Sequence, residues 1–530
     1  MYHTVQIWEG VISVLFSTVL SAALQGMRAE FIHVEADVGN GLPFFHMVGH
    51  LASEVKESAE RVRTAVKNSG IQIPPRKVVI NLSPANVRKR GAAFDLPIAA
   101  AVLAANGVIR QETLADMLVI GELSLDGGVR KVPGILPILI EAKKYGCMRC
   151  MIPKANEREG RMITGIEVIG VSKLTEVVEI CKKIEREGEA FIRRIQKPGE
   201  QQKESAQVRP PSVDFGEIKG QTFVKRAAEI AVAGQHNLLM IGPPGAGKTM
   251  AARRIPTIFP PLSMEERIEI SKAYSVAGLL DEEHPFIAER PFRAVHHTVT
   301  KAALVGGGLH PVPGELSLSH GGCLFLDEAA EFRKDVLEAL REPLEEQNIH
   351  LVRSGGTYVF PADVIVVAAM NPCPCGQFPD YNRCRCSEQE IRNYLGRISG
   401  PLLDRIDLCV DVPKVEYESL VQTGEEETSD AIRARVCMAR EIQKNRYQGQ
   451  EKQTNGRVPV KELMKGCELG QEGEMQMRRS FEALQLTARS YYKVLRVART
   501  IADLAGSEKI ETCHLDEALI YRTMDRKYWR

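Results

Sequence analysis

Hydrophobic and polar positions fall into three regimes along the chain. From about residue 17 to 195 two periods are mixed. Ala29–Val38 puts Ile32, Val34, Ala36 and Val38 on one face and His33, Glu35 and Asp37 on the other, which predicts a half-buried strand. After Ser53, Val55, Ala59, Val62 and Val66 recur at helical spacing and stop at Gly70, a residue suited to closing a helix. Lys77–Leu82 predicts another strand. From 214 to 413, helical patterns are broken by short, wholly apolar runs at Asn237–Ile241, Cys323–Leu326 and Val364–Ala369. Runs without alternation fit strands of a parallel sheet covered on both faces. Beyond about residue 428 strong strand patterns stop and amphipathic helices remain, as over Ser480–Leu504.

The stretch 196–213 (QKPGEQQKESAQVRPPSV) is polar, proline-bearing and without apolar period, so it reads as a linker. The expected organisation is therefore a leader or start-site extension over 1–16, a mixed domain over 17–195, the linker 196–213, a parallel-sheet core over 214–413 and a helical lid over 414–530. Val11–Leu24 is apolar but shorter than the ~20 residues that span a bilayer. Residues 1–10 contain no Lys or Arg, so the basic region of a signal peptide is missing. The expectation is a buried strand behind a short leader in a cytoplasmic protein with no membrane partner.

A chain of 530 residues holds several domains, and its 44% hydrophobic and 26% charged content is ordinary for globular protein. The net charge of +1 gives no global attraction to nucleic acid, so any such attraction comes from local patches. Twelve cysteines without a secretion signal read as reduced thiols or metal ligands.

The strongest chemical signal is Gly242-Pro243-Pro244-Gly245-Ala246-Gly247-Lys248-Thr249, which follows a predicted strand. Glycines at these positions let backbone N–H groups face phosphates, and the helix that follows adds its positive end. Lys248 is expected on the β- and γ-phosphates of ATP and Thr249 on Mg²⁺. Cys323–Leu326 then delivers Asp327 and Glu328 at a strand end, where open α/β sheets bind ligands. Asp327 is expected to serve Mg²⁺ and Glu328 to polarise the attacking water. Asn371, at the end of a third strand, is placed to position that water beside the γ-phosphate. Arg405, in Gly400-Pro-Leu-Leu-Asp-Arg-Ile-Asp407, is either a finger reaching a neighbour's ATP or a salt-bridge partner of Asp404 or Asp407.

These elements, in this order, resemble AAA+ ATPases. More specifically the chain resembles the YifB/ComM family of magnesium-chelatase-like ATPases. The resemblance is carried by Ser21–Gly26, Val55–Ser58, Asn81–Pro84, Phe94–Ile98, Gly121–Leu123, Lys219–Gln221, Arg290–Arg293, His296–Thr298, Asn371–Gly376, Gly396–Asp407 and Arg496–Asp503. It implies a homo-hexameric ring in which Arg405 acts across the subunit interface. It also implies that Arg489 is a second sensor touching ATP from within its own subunit. ComM-type members are DNA motors that drive branch migration, and the segment around Arg290–Gly314 resembles one that this branch points into the ring pore. The chain departs from the family pattern in its first ~16 residues, at Gly49-His50-Leu51 and at Ala329-Ala330 after Glu328. None of these departures removes a catalytic group.

The N-terminal region resembles the Lon-protease fold, related to a ribosomal S5-like α+β domain, through Lys89–Ala93 and Gly121–Gly127. The serine and lysine that peptidase chemistry needs fall on Ala93 and near Leu136, so peptidase activity there is not expected. Arg76, Arg88, Lys89 and Arg90 give this region a basic face, either solvated or in contact with DNA. Cys373, Cys375, Cys384 and Cys386 form two Cys-x-Cys pairs, read as structural Zn²⁺ ligands rather than free thiols. Cys147 and Cys150 lack a second pair and carry no such reading. His296 and His297 read as structural or DNA-contacting rather than metal-binding.

The leading functional expectation is an ATP-driven DNA translocase or branch-migration helicase. Arg290, Arg293, His296, Lys301, Arg383 and Arg385 are its candidate DNA contacts. The alternative is a protein-remodelling or magnesium-chelatase-type ATPase.

Overall fold

The protein is described from a computed structural model, which covers residues 16–195, 213–353, 356–417, 426–450 and 452–529. The expected leader over 1–16 and linker over 196–213 lie outside the described residues except for Phe16, which opens the first strand, and Val213. The chain forms two units. The first comprises residues 1–205, 267–287 and 352–359; the second comprises 206–266, 288–351 and 360–530.

The strands of the first unit are β1 (Phe16–Gln25), β2 (Arg28–Gly39), β3 (Phe44–Val48), β4 (Lys77–Ser83), β5 (Met117–Val119), the short ribbon β6 (Glu122–Leu123) and β7 (Val129–Arg130), β8 (Arg149–Pro153) and β9 (Glu167–Val171). Seven of them form one mixed sheet in the order β3-β4-β2-β1-β5-β8-β9. The alternation read in β2 is real: Ile32, Val34, Ala36 and Val38 are buried. The helical spacing after Ser53 becomes two helices, Ser53–Lys56 and Ser58–Asn68.

Helix Asp95–Ala105 has no polar face and every residue of it is buried. Such a helix is stable only when covered on all sides. Its one charged residue, Asp95, accepts from Arg61 Nε at 2.8 Å and Nη2 at 3.1 Å and from the Leu123 N–H at 3.3 Å. That arrangement explains the acid within the Phe94–Ile98 motif.

Two segments distant in sequence complete this unit. Residues 267–287 fasten onto the start of helix Ile135–Tyr145. Gly134 N–H donates to the Ser275 carbonyl at 2.8 Å, and the Leu136 N–H lies 3.3 Å from Ser275 Oγ. Burial pushes the Glu159 carboxyl up, opposed by hydrogen bonds from Ser275 and Asn156. Ala93 and Leu136, the positions corresponding to a peptidase dyad, lie in one apolar cluster with Leu280. Residues 352–353 and 356–359 belong to a pair of hairpin strands, and Gly356 approaches Gln25 there so closely that a Cβ would sit 2.5 Å from Gln25 Nε2.

The second unit contains β10 (Leu238–Ile241), β11 (Phe292–Val295), β12 (Cys323–Leu326), β15 (Ile365–Met370) and β16 (Leu408–Asp411), together with residues 348–351 and 360–361 of the hairpin strands β13 (Asn348–Arg353) and β14 (Gly356–Pro361). Five of these form a parallel sheet in the order β11-β12-β15-β10-β16. The strands read as uniformly apolar are buried throughout.

Between residues 426 and 529 the described regular elements are helices. The helix expected over Ser480–Leu504 is in fact two, Gln471–Ala483 and Ala488–Leu504. Gln485 takes a φ of 43° between them, and Thr487 Oγ1 caps the second by accepting from the Ser490 N–H. Thr and Gln do not announce this break as Gly or Pro would.

The Arg496–Asp503 motif is the polar centre of this helical part. Asp503, itself fully buried, accepts from Arg446 at 2.5 and 2.9 Å, from Arg499 Nε at 3.1 Å and from Asn455 at 2.8 Å. Removing one partner of such a network leaves buried guanidinium groups uncompensated. Asp503→Ala is expected to cost about 3 kcal/mol in the urea transition that includes these helices. A loss below about 1 kcal/mol would mean that the network is solvated.

Candidate functional site

The site is built by three neighbouring strands of the parallel sheet. In register, Ile241 of β10 lies beside Met370 of β15, and Leu326 of β12 beside Ala368 of β15. The residues that follow these strands therefore emerge at one edge: Gly242 after β10, Asn371 after β15, and Asp327 with Glu328 after β12.

Gly242 is required by space: a Cβ there would lie 2.2 Å from the Val412 carbonyl oxygen. Gly245 and Gly247 are required by conformation, with φ of 75° and 92°. Helix Lys248–Arg254 starts directly after them. Lys248 Nζ donates to the carbonyls of Gly242 at 2.6 Å and Pro243 at 2.9 Å and to Asn371 Oδ1 at 3.1 Å. Burial lowers its ammonium to about 8, against the opposing pull of Asp327 and Glu328. Thr249 Oγ1 donates to Asp327 Oδ2 at 2.9 Å. A hydroxyl and a carboxylate so paired, beside a lysine and a glycine-rich loop that opens a helix, fit a magnesium–triphosphate group.

Glu328 has a φ of 52°, an uncommon left-handed conformation for a residue with a side chain. Its carboxylate lies 3.4 Å from His297 Nδ1, just beyond the end of β11. Sequence reasoning gave His297 no link to Glu328. The signal available was only its place at the end of a strand that pairs with β12. Gln221, within the Lys219–Gln221 motif, is the other residue without an assigned role. Its Nε2 donates to the carbonyls of Ala246 at 3.2 Å and Pro413 at 2.6 Å, bracing the phosphate loop.

Arg405 and Arg489 are not among these groups. Arg405 pairs with Glu345 and donates to the Arg341 carbonyl at 2.8 Å and the Pro401 carbonyl at 2.7 Å. The partners read for it, Asp404 and Asp407, are not the ones it takes: Asp407 instead accepts from the Asn237 N–H at 3.0 Å and lies 3.7 Å from Lys493. Arg489 Nη2 reaches the other oxygen of Glu345, at 3.4 Å. The two arginines thus share one half-exposed carboxylate, whereas Lys248, Thr249, Asp327 and Asn371 hold one another.

Cys373, Cys375, Cys384 and Cys386 converge, with all four sulfurs within 4.8 Å of one another. The separations of 3.4, 3.6 and 3.8 Å among the first three approach the ~3.8 Å edge of a tetrahedron with ~2.3 Å zinc–sulfur bonds. The knuckle is joined to the phosphate loop. Gly376, at φ 74°, lies so close to Pro244 that a Cβ would meet its Cδ at 2.4 Å.

Of the candidate DNA contacts, Arg290 is already committed: it binds Glu266 at 2.7 Å and the Gly321 carbonyl at 2.8 Å and is largely buried. Arg293 is paired with Glu315 at 2.6 and 2.8 Å. His296 lies 3.0 Å from Thr298 Oγ1, while Lys301, Arg383 and Arg385 are exposed. Among the described residues no helix is long and apolar enough to cross a membrane.

Residues 214–420 match the family model described as magnesium chelatase, subunit ChlI; residues 34–156 match that described as subunit ChlI of Mg-chelatase; and residues 426–522 match that of the ChlI C-terminal region. Competence protein ComM of Haemophilus influenzae is 39% identical over 513 residues, covering 96% of this chain and 97% of that protein. Protein YifB of Escherichia coli is 40% identical over 511 residues, with the same shares covered. Lon protease 2 of Bacillus subtilis is 30% identical over 128 residues, 24% of this chain and 23% of that one. The chain belongs to the YifB/ComM family of magnesium-chelatase-like proteins.

If His297 orients Glu328, His297→Ala should lower the ATP turnover rate about tenfold or more and leave nucleotide affinity unchanged. Equal losses in affinity and turnover, measured by fluorescent-nucleotide titration and phosphate release, would make His297 a structural residue instead.

Proposed function

We propose that this member of the YifB/ComM family is a Mg²⁺-dependent, AAA+-type ATPase that works as a homo-hexameric ring and moves along DNA. The observation that carries the ATPase reading is the convergence of Lys248, Thr249, Asp327, Glu328 and Asn371 at one edge of a parallel sheet. In this reading the N–H groups of Gly245 and Gly247 and the Lys248 ammonium bind the triphosphate. Thr249 and Asp327 hold Mg²⁺, which neutralises phosphate charge when bound. Glu328 takes up a proton from the attacking water, and Asn371 fixes that water's position. Lys248 leaves its present carbonyl partners for phosphate oxygens.

Arg405 acts across the subunit interface and Arg489 touches ATP within its own subunit, each leaving Glu345 for phosphate oxygens. The four cysteines hold structural Zn²⁺. The segment between Arg290 and Gly314 is the candidate DNA contact, with Lys301 and Leu309 exposed within it. Support for DNA as the substrate comes from competence in the name of the Haemophilus influenzae relative. Ala93 and Leu136 supply neither nucleophile nor base, so the N-terminal unit is assigned no peptidase role.

In a phosphate-release assay, single-stranded or forked DNA should raise the ATP turnover of the purified protein severalfold. Glu328→Gln should bind ATP normally and turn over at least ~100-fold more slowly. If no DNA raises turnover in a protein that hydrolyses ATP, the motor reading fails and protein remodelling takes its place. Metal analysis should find one zinc per chain, falling to a small fraction in Cys384→Ser. A full zinc complement in that variant would remove the knuckle assignment.

A further inference from the structure

The seven-stranded sheet of the first unit ends on β3, whose outer side has no partner strand among the described residues. The strand is apolar and poorly covered: Phe44 is 50% and Val48 43% exposed, and Leu42 just before it is 88% exposed. An uncovered apolar edge invites pairing unless it is a binding surface. Beside it lies a cavity of about 880 Å³, within the ~300–1,000 Å³ range of ligand sites. Val62 and Val66 of helix Ser58–Asn68, Ile71 and Ile73 of the following loop and Val78 of β4 line it with aliphatic side chains. Arg63, Lys67 and Arg76 also line it, and no Asp or Glu does. None of these three cations has an ion-pair or hydrogen-bond partner among the described residues, although most arginines elsewhere in the chain are paired.

Aliphatic lining, three unpaired cations and an open strand edge call for an occupant that is apolar, acidic and extended. We propose that this groove binds an acidic peptide segment of a partner protein. The segment adds to β3 as an eighth strand, places an aliphatic or aromatic side chain in the cavity and meets Arg63, Lys67 and Arg76 with its carboxylates. Strand addition supplies affinity through backbone hydrogen bonds, and the pocket selects side chains. A single nucleic-acid strand is the weaker fit. Such strands are tracked by successive aromatic platforms, whereas the lining of this cavity is mainly aliphatic and proline, with Phe44 and Phe45 its only aromatic side chains. The site is independent of the ATPase reading and uses none of its residues.

The test is fluorescence polarisation on the full-length protein with a fluorescein-labelled peptide that alternates Asp with Leu and Phe. Saturable micromolar binding is expected. It should weaken at least about tenfold in the Arg63→Glu/Arg76→Glu variant and in Met47→Pro, which breaks the edge of β3. The same peptide with Lys in place of Asp, or Ser in place of Leu and Phe, should not bind. Far-UV circular dichroism and the urea transition of both variants should match those of the unaltered protein, which shows that they are folded. The proposal is overturned if the acidic peptide fails to saturate at about 100 µM, or if both variants bind it unchanged. It is equally overturned if labelled oligo-dT binds, loses affinity in Arg63→Glu/Arg76→Glu and displaces the peptide, because the groove is then a nucleic-acid site.

Discussion

Everything at the catalytic edge depends on the register of three parallel strands. With β15 seated between β12 and β10, the residues just beyond each strand must come out side by side. Side chains alternate along a strand, so a slip of one residue between β12 and β15 would turn Asp327 to the opposite face. The uniformly apolar sequences of these strands hold the sheet between its covering layers. Register among near-identical apolar residues is instead held by polar contacts at the ends. The Asn237 side chain is one: it accepts from the Val366 N–H at 2.9 Å and donates to the Arg405 carbonyl at 2.9 Å. The Gly242 N–H, bonded to the Met370 carbonyl at 3.2 Å, is another.

The phosphate loop is accordingly braced from several directions before any nucleotide arrives. Gln221 holds Ala246, Gly376 presses on Pro244, and Lys248 is tied to the loop's own carbonyls. The cysteine knuckle therefore shares a packing surface with the loop, separate in sequence by more than a hundred positions. Metal bound by those sulfurs would stiffen the backbone just after Asn371, which gives a structural zinc site a reason to stand beside a nucleotide site.

Much of this was legible in the sequence because it is local. The Gly242–Thr249 loop, the two acids after an apolar strand and the alternation in β2 are each written in a few consecutive residues. What remained hidden is tertiary. Nothing near His297 tells of Glu328, because the link passes through strand pairing. Nothing near Arg489 or Arg405 tells that both meet Glu345, because that pairing joins segments far apart in the sequence. Arg290 was read as a candidate DNA contact, whereas its guanidinium binds Glu266 and the Gly321 carbonyl. The break between the helices at Leu484–Thr487 escaped notice because hydrophobic spacing runs on through it.

The first unit draws part of its fabric from residues 267–287 and 352–359, and this has a consequence for its birth on the ribosome. Leu280 is buried with Leu136 in the cluster that also takes in Ile268, Tyr274 and Ile287. Until that stretch has emerged, the apolar surface around Leu136 lacks its cover, and the hairpin strand at Gly356 is later still. Domains usually fold in order of synthesis. Here the N-terminal unit must wait, open, until about two-thirds of the chain has been made. A shortened chain that stops at the end of the seven-stranded sheet would meet water with a surface that the complete protein never exposes.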